Sequence, residues 1–275
     1  MRALVGKRIA LACQRRVKEI TRLVEKFGGV PLWRPTMQTL SVSDDPEVQA
    51  VLLQIVRDGV DWFIFTTGVG VQATMEAAEL VGCKEALIDV LRNAQLAVRG
   101  YKTAQALQSL GLTSFIRDRD GTTESLMSAL NAANFSGTKV AVQAYGEPIP
   151  SLTAWLEKKG AAVIELLLYR HIPALPEALN TLLNEIVQEQ VDAVLFTSPP
   201  QVRFLFNFAR QHSADQKLCA AFNHQVVAAA VGHVTAGTLK GYGVANIVMP
   251  DEERIGAAIV ALANYFERCK RKDEL

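Results

Sequence analysis

The chain repeats itself, and that repeat constrains its fold more than any other feature. Val60-Asp61-Trp62-Phe63-Ile64-Phe65-Thr66-Thr67 returns 131 residues later as Val191-Asp192-Ala193-Val194-Leu195-Phe196-Thr197-Ser198. Gly100-Tyr101-Lys102-Thr103-Ala104 returns at a spacing of 132 as Gly232-His233-Val234-Thr235-Ala236, and Leu107 and Gly111 meet Leu239 and Gly243 at the same spacing. Near the start, KRIALACQRR and LVEKFGG are echoed by TKVAVQAYGE and WLEKKGA, with Gly28 falling on Gly160. One register held across three separated segments makes the chain two copies of one unit.

Each copy alternates short apolar runs with helical patterns. Arg8–Cys13, Val30–Trp33, Trp62–Thr66 and Gln95–Val98 read as strands in the first copy. Lys139–Gln143, Ala162–Leu168, Ala193–Thr197 and Val226–Val231 read as strands in the second. These runs are apolar without alternation, as expected of parallel strands covered on both faces. Val17–Phe27, Glu47–Arg57, Ile149–Lys159 and Glu177–Gln188 carry helical periodicity. Strand-helix alternation in both copies points to an α/β protein with two similar doubly wound parallel sheets. Ligands of such sheets sit outside the carboxyl ends of the strands. Attention therefore falls on Thr66-Thr67, Arg99-Gly100, Tyr169, Thr197-Ser198 and Gly232-His233.

A length of 275 residues fits two domains. With 29 Lys and Arg against 28 Asp and Glu, the net charge is +1, too small to make nucleic acid or an anionic membrane an expected partner. An anionic ligand must then be held by local donors. Cys13, Cys83, Cys219 and Cys269 are scattered, without a CxxC pair or a histidine at metal spacing, so reduced thiols in the cytoplasm are expected. The N-terminal apolar stretch is short and broken by charges, which does not read as a signal peptide, and no run approaches the ~18 apolar residues of a spanning helix. The last four residues, Lys272-Asp273-Glu274-Leu275, spell an ER-retention address, read here as a charged frayed end after the last helix.

Two junctions share a design: a buried strand ends in Thr66-Thr67 or Thr197-Ser198 and a helix begins just beyond. Hydroxyls and unbonded amides at a helix N-terminus serve either as plain caps or as a neutral anion site. The first junction, Gly68-Val69-Gly70-Val71-Gln72-Ala73, also matches a GxGxxA dinucleotide fingerprint. The second copy fills that slot with Pro199-Pro200, which speaks against a nicotinamide cofactor. In the other pair, Gly100 and Gly232 allow close backbone approach, and Thr103 and Thr235 fall in the first helical turn, again as caps or ligand contacts. Arg99 and Lys102 add positive charge in the first copy only. Tyr169 closes the run Ala162–Leu168, either as an amphipathic interface ring or as a general acid at the mouth of a cleft. His212 and His224 read as surface residues.

The paired D-x-x-x-F-T-[ST] and G-x-x-T-A-x-x-L motifs, with the Leu168-Tyr169-Arg170 that precedes a proline, resemble the uroporphyrinogen-III synthase family over essentially the whole chain. The resemblance implies two α/β lobes, 1–38 with 172–275 and 39–171, joined by linkers near Pro35–Val42 and Arg170–Pro173, with the ligand in a cleft between them. It implies a monomeric lyase that closes hydroxymethylbilane with inversion of the last pyrrole ring and loss of water, using no cofactor and no metal. Tyr169 matches the tyrosine thought to assist hydroxyl departure. Thr103 and Thr235 match cleft threonines, Thr66-Thr67 and Thr197-Ser198 match strand-end hydroxyls, and Arg15 matches an arginine after the first strand. Two departures, Val98-Arg99-Gly100 with its glycine one place late and Ala144-Tyr145-Gly146-Glu147-Pro148 where others carry an arginine, resemble a bacterial branch also found fused to a C-terminal DNA-binding domain. A tetrapyrrole-binding regulatory paralogue is the alternative to the lyase.

Overall fold

The computed structural model describes residues 3–144 and 146–273, the side chains of the last three excepted. Tyr145 of the second departure and the end of the Lys272–Leu275 segment thus lie outside the described residues. The first copy of the repeat runs β1 (Arg8–Leu11), α1 (Val17–Lys26), β2 (Val30–Trp33), β3 (Met37–Ser41), α2 (Pro46–Asp58), β4 (Trp62–Phe65), α3 (Gly68–Leu80), α4 (Lys84–Asn93), β5 (Gln95–Val98), α5 (Tyr101–Ser109), β6 (Ile116–Arg117) and α6 (Thr123–Ala129). The second runs β7 (Lys139–Gln143), α7 (Pro150–Lys158), β8 (Ala162–Leu166), β9 (Tyr169–Pro173), α8 (Pro176–Val187), β10 (Ala193–Phe196), α9 (Pro199–Gln211), α10 (Asp215–His224), β11 (Val227–Ala230), α11 (His233–Gly241), β12 (Ile247–Val248) and α12 (Ile255–Asp273). The order of strands and helices is the same in both copies, element for element. Even the stops agree: Gly28 and Gly160, just past α1 and α7, both take positive φ (88° and 89°), which a residue with a Cβ resists.

The compact units do not coincide with the copies. A terminal unit comprises Met1–Gln38 and Ile172–Leu275, and a central unit comprises Thr39–His171. Each therefore combines the opening strand-helix-strand of one copy with the longer remainder of the other. The terminal sheet has the order β12-β11-β10-β1-β2 and the central sheet β6-β5-β4-β7-β8. Every described pairing in both sheets is parallel. The register matches too: Phe65 faces Gln143 in the central sheet, and one step back Ile64 faces Val142 as Leu195 faces Leu11 in the terminal one.

Each sheet is covered on both faces, which explains its unbroken apolar strands. In the central unit Phe63, Phe65 and Ala141 pack into one core, while Trp62, Ile64, Val140 and Val142 pack into another. In the terminal unit Ala10, Ala12, Val194 and Phe196 face one core, and Ile9, Leu11, Ala193 and Leu195 the other. The segments expected to join the lobes form the strands β3 and β9, which pair with each other in a two-stranded sheet, and the chain passes from one unit to the other within them. One expectation needs correction: Tyr169 does not close the run Ala162–Leu168, because β8 stops at Leu166 and Tyr169 opens β9. No described helix is long and apolar enough to cross a membrane.

Candidate active site

In the central unit β4 delivers Thr66 and Thr67 directly onto α3. Thr67 is the N-cap, and its Oγ1 accepts the Gly70 amide at 2.9 Å. Thr66 is buried, and its hydroxyl donates to the Gln143 carbonyl at 2.7 Å. Behind both lies the Gln143 side chain, which has no solvent exposure. Its Oε1 accepts the amides of Thr66 and Thr67, each at 3.3 Å, and its Nε2 donates to the Ala144 carbonyl. Gly70 makes room for it, because a Cβ at that position would fall 1.9 Å from Gln143 Cδ. A Cβ on Gly68 would fall 2.8 Å from the Lys102 carbonyl oxygen. Both glycines of the apparent dinucleotide fingerprint thus answer to packing inside the unit.

Tyr169 stands against this junction. It is 5% exposed, and its Oη lies 2.8 Å from Thr67 Oγ1. Its ring tilts toward His171, whose Nδ1 is 3.1 Å from Thr39 Oγ1. A phenol held by a hydroxyl that is itself held by a backbone amide has a fixed direction, the geometric requirement for directed proton transfer.

The matching junction of the terminal unit reaches a similar result by another route. Ser198 caps α9 without a side-chain hydrogen bond, and Pro199 and Pro200 occupy the first turn, where proline's missing N–H costs nothing. Gln201 sits where the central unit has Gly70, and its Oε1 accepts the Thr197 amide at 2.7 Å while Nε2 donates to Thr197 Oγ1 at 2.9 Å. Ala12 sits where the central unit has Gln143. The Gln–Gly pair of one unit is therefore an Ala–Gln pair in the other, and a carboxamide reaches the strand end in both. The strand that aligns with β9 is β3, whose first residue is Met37, so the terminal unit offers no phenol at this place.

The two glycine-threonine segments hold a second shared device that sequence reasoning missed. Gly100, at φ 81°, donates its amide to the carboxylate of Asp118, which also accepts the Gly121 amide and is buried. In the terminal unit the His233 amide donates to Glu253 at 2.8 Å, and His233 Nδ1 pairs with the same oxygen. Both carboxylates come from the segment after the edge strand. One amide at each of these helix N-termini is thus taken by a carboxylate of the protein itself. Thr103 is buried and donates to the Arg99 carbonyl at 2.6 Å, while Thr235 is buried in the first turn of α11. The Arg99 guanidinium donates to Thr123 at 2.8 Å. Lys102 is exposed beside the Tyr101 ring, and Arg15 is exposed between β1 and α1. His212 and His224 are exposed.

One signal for the missed residues was available: Ser198-Pro199-Pro200-Gln201 has the spacing of a capping box, in which a glutamine three residues after the cap reaches back to a backbone amide. Gln143 and Asp118 gave no such local signal, since their partners lie far away in the chain or in an adjoining loop.

A family model described as Uroporphyrinogen-III synthase HemD matches residues 18–260. The uncharacterized protein YjjA of Bacillus subtilis (strain 168) is 41% identical over 266 residues, spanning 97% of this chain and 98% of its own. A mutant uroporphyrinogen III synthase from the extremely thermophilic bacterium Thermus thermophilus is similar in structure with a TM-score of 0.80 at 35% identity, covering 97% of this chain and 100% of that one. The uroporphyrinogen-III synthetase of Helicobacter pylori 26695 shares the fold at 15% identity and a TM-score of 0.53, covering 94% and 99%. A repeat, a pair of matching parallel sheets and a match over most of the length agree: the chain belongs to the uroporphyrinogen-III synthase family.

Proposed function

We propose that this chain is itself a uroporphyrinogen-III synthase, a cytoplasmic lyase that converts hydroxymethylbilane to uroporphyrinogen III. The observation that carries this reading is the phenol of Tyr169, fixed at 2.8 Å from the Thr67 hydroxyl at the carboxyl end of the central sheet. The C–O bond of the substrate's terminal hydroxymethyl group breaks with its electron pair on oxygen, and Tyr169 supplies the proton that turns the departing hydroxide into water. Loss of the pyrrole N–H proton leaves an azafulvene. The substituted carbon of the last ring attacks it to give a spiro intermediate, which fragments and recloses with that ring inverted. Water is the net loss, and holding the two ends of a flexible chain together is the main catalytic task.

The polar side chains at the strand ends are the candidates for the substrate's carboxylates: Thr67, Arg99 and Lys102 in the central unit, and Arg15, Thr197, Ser198 and His233 in the terminal one. Thr66, Thr103, Thr235, Gly100 and Gly232 are proposed to shape these ends from within. The test is product identity. Hydroxymethylbilane supplied to the purified chain should yield the type III isomer ahead of the spontaneous type I product.

The second reading, a tetrapyrrole-binding regulatory paralogue, is favoured by Asp118 and Glu253, which occupy amides that a substrate carboxylate would take. Saturable binding of a linear tetrapyrrole with type I product only would support it.

A further inference from the structure

Thr67 has one hydroxyl proton and, among the described residues, two side-chain acceptors in view. Tyr169 Oη is 2.8 Å away, whereas Gln143 Oε1 is 3.4 Å away and already receives two backbone amides. The shorter distance is that of an ordinary O–H···O bond and the longer one is outside it. The Thr67 oxygen meanwhile accepts the Gly70 amide. The hydroxyl is therefore set to donate toward the phenol oxygen, and its place is fixed from behind by a carboxamide that never reaches solvent.

The polarity of that carboxamide is particular to the central unit. Gln143, arriving from β7, turns its oxygen to the two threonines and spends its NH2 on the Ala144 carbonyl. Gln201, arriving from α9, turns its NH2 to the Thr197 hydroxyl instead. Both arrangements satisfy the strand end, but Gln143 meets the threonines through its oxygen alone, whereas Gln201 meets Thr197, the counterpart of Thr66, through both ends of its amide.

We propose that Gln143 is a positioning residue for the reaction: through Thr67 it holds in place the hydroxyl that donates to the phenolate formed when Tyr169 gives up its proton. This role rests on the assignment of Tyr169 as the acid. No co-reactant is needed, because the phenolate regains its proton from the pyrrole nitrogen.

The test is a double-mutant cycle between Tyr169→Phe and Gln143→Met, read as kcat and KM for type III product below the unfolding temperature of every variant. Methionine fills the space under Gly70 and removes both ends of the amide. Gln143→Met should lower kcat about tenfold, the kinetic equivalent of one hydrogen bond to a developing charge, with KM held within about twofold. In the Tyr169→Phe background the same change should leave kcat where Tyr169→Phe alone put it. A full additional loss in that background overturns the role of Gln143 and leaves Tyr169 as the acid. No loss from Tyr169→Phe alone, or no type III product from the native chain, overturns the assignment on which the role rests and the role with it. A graft separates position from fold: Gly70→Gln with Gln143→Ala rebuilds the terminal unit's arrangement in the central one. It should recover the melting temperature lost by Gln143→Ala without recovering kcat. Recovery of both makes Gln143 a structural residue only.

Discussion

The two units are built from one pattern and differ at the point where chemistry is proposed. Both have the same strand order, the same parallel register, a carboxamide at the central strand end and a carboxylate that accepts an amide at the start of the neighbouring helix. Only the central unit adds a phenol, because Tyr169 opens β9 where the corresponding strand opens with Met37. A duplicated scaffold thus keeps its structural contacts twice while carrying the proposed proton donor once. The exchange of Gly70 and Gln143 for Gln201 and Ala12 shows what such duplication preserves. The amide's position is kept, while the element that delivers it is not.

The comparison can be broken first at Gly70. Gly70→Ala drives a methyl group into Gln143 and should cost about 3 kcal/mol, the upper end of overpacking costs, because the neighbour is fully buried. Thermal unfolding of the variant checks it; an unchanged melting temperature would mean that the carboxamide lies elsewhere.

Next in size are the two carboxylates. Asp118 is buried and accepts two amides, so Asp118→Asn, which turns one acceptor into a donor, should cost about 1.5–3 kcal/mol. Glu253 has a side chain 45% exposed, so Glu253→Gln should cost under about 1 kcal/mol. Equal losses in denaturant titrations would erase this difference between the units.

The caps come third. Thr67→Ala removes an N-cap bond and should cost about 1 kcal/mol, whereas Ser198→Ala removes no cap bond and should stay within about 0.5 kcal/mol. The smallest effect concerns Cys13, whose place in the central unit is taken by Ala144. Burial pushes its thiol up to about 11, so the neutral, unreactive form persists through pH 8. Alkylation at pH 8 followed by mass spectrometry should leave Cys13 unmodified in the native chain and modify it after denaturation.

The parts of this architecture legible in the sequence were those with local signatures. Trp62–Phe65 and Ala193–Phe196 announce buried strands through unbroken apolar runs, and the repeat ties them together. Met37–Ser41 and Tyr169–Pro173 were not legible as strands, since polar residues and a proline interrupt them and each is defined only by pairing with the other. β6 and β12, two residues long, are likewise products of tertiary pairing. At the site, Thr67 and Ser198 stand out as cap residues; both hold the N-cap position, and of the two Thr67 makes the side-chain cap bond. Gln143 could not be foreseen, because its reason for being buried is a missing side chain at Gly70, a contact between two distant elements. Asp118, within Arg117-Asp118-Arg119-Asp120, reads as part of a solvated charge run until the fold brings it to Gly100.

The asymmetry between the units is tested most directly by the rate of type III product from hydroxymethylbilane with Tyr169→Phe, substrate binding being measured separately. Phenylalanine keeps the buried ring and removes the hydroxyl, so folding and binding should hold. The rate should fall about 10²-fold, the low end of general acid assistance, because azafulvene formation also proceeds unaided. In the terminal unit Ser198→Ala, at the counterpart of Thr67, removes a proposed carboxylate contact and no proton donor, so it should raise KM while leaving kcat within about threefold. An unchanged rate with Tyr169→Phe would contradict the account, placing the catalytic burden on orientation alone and making the two units equivalent at the site.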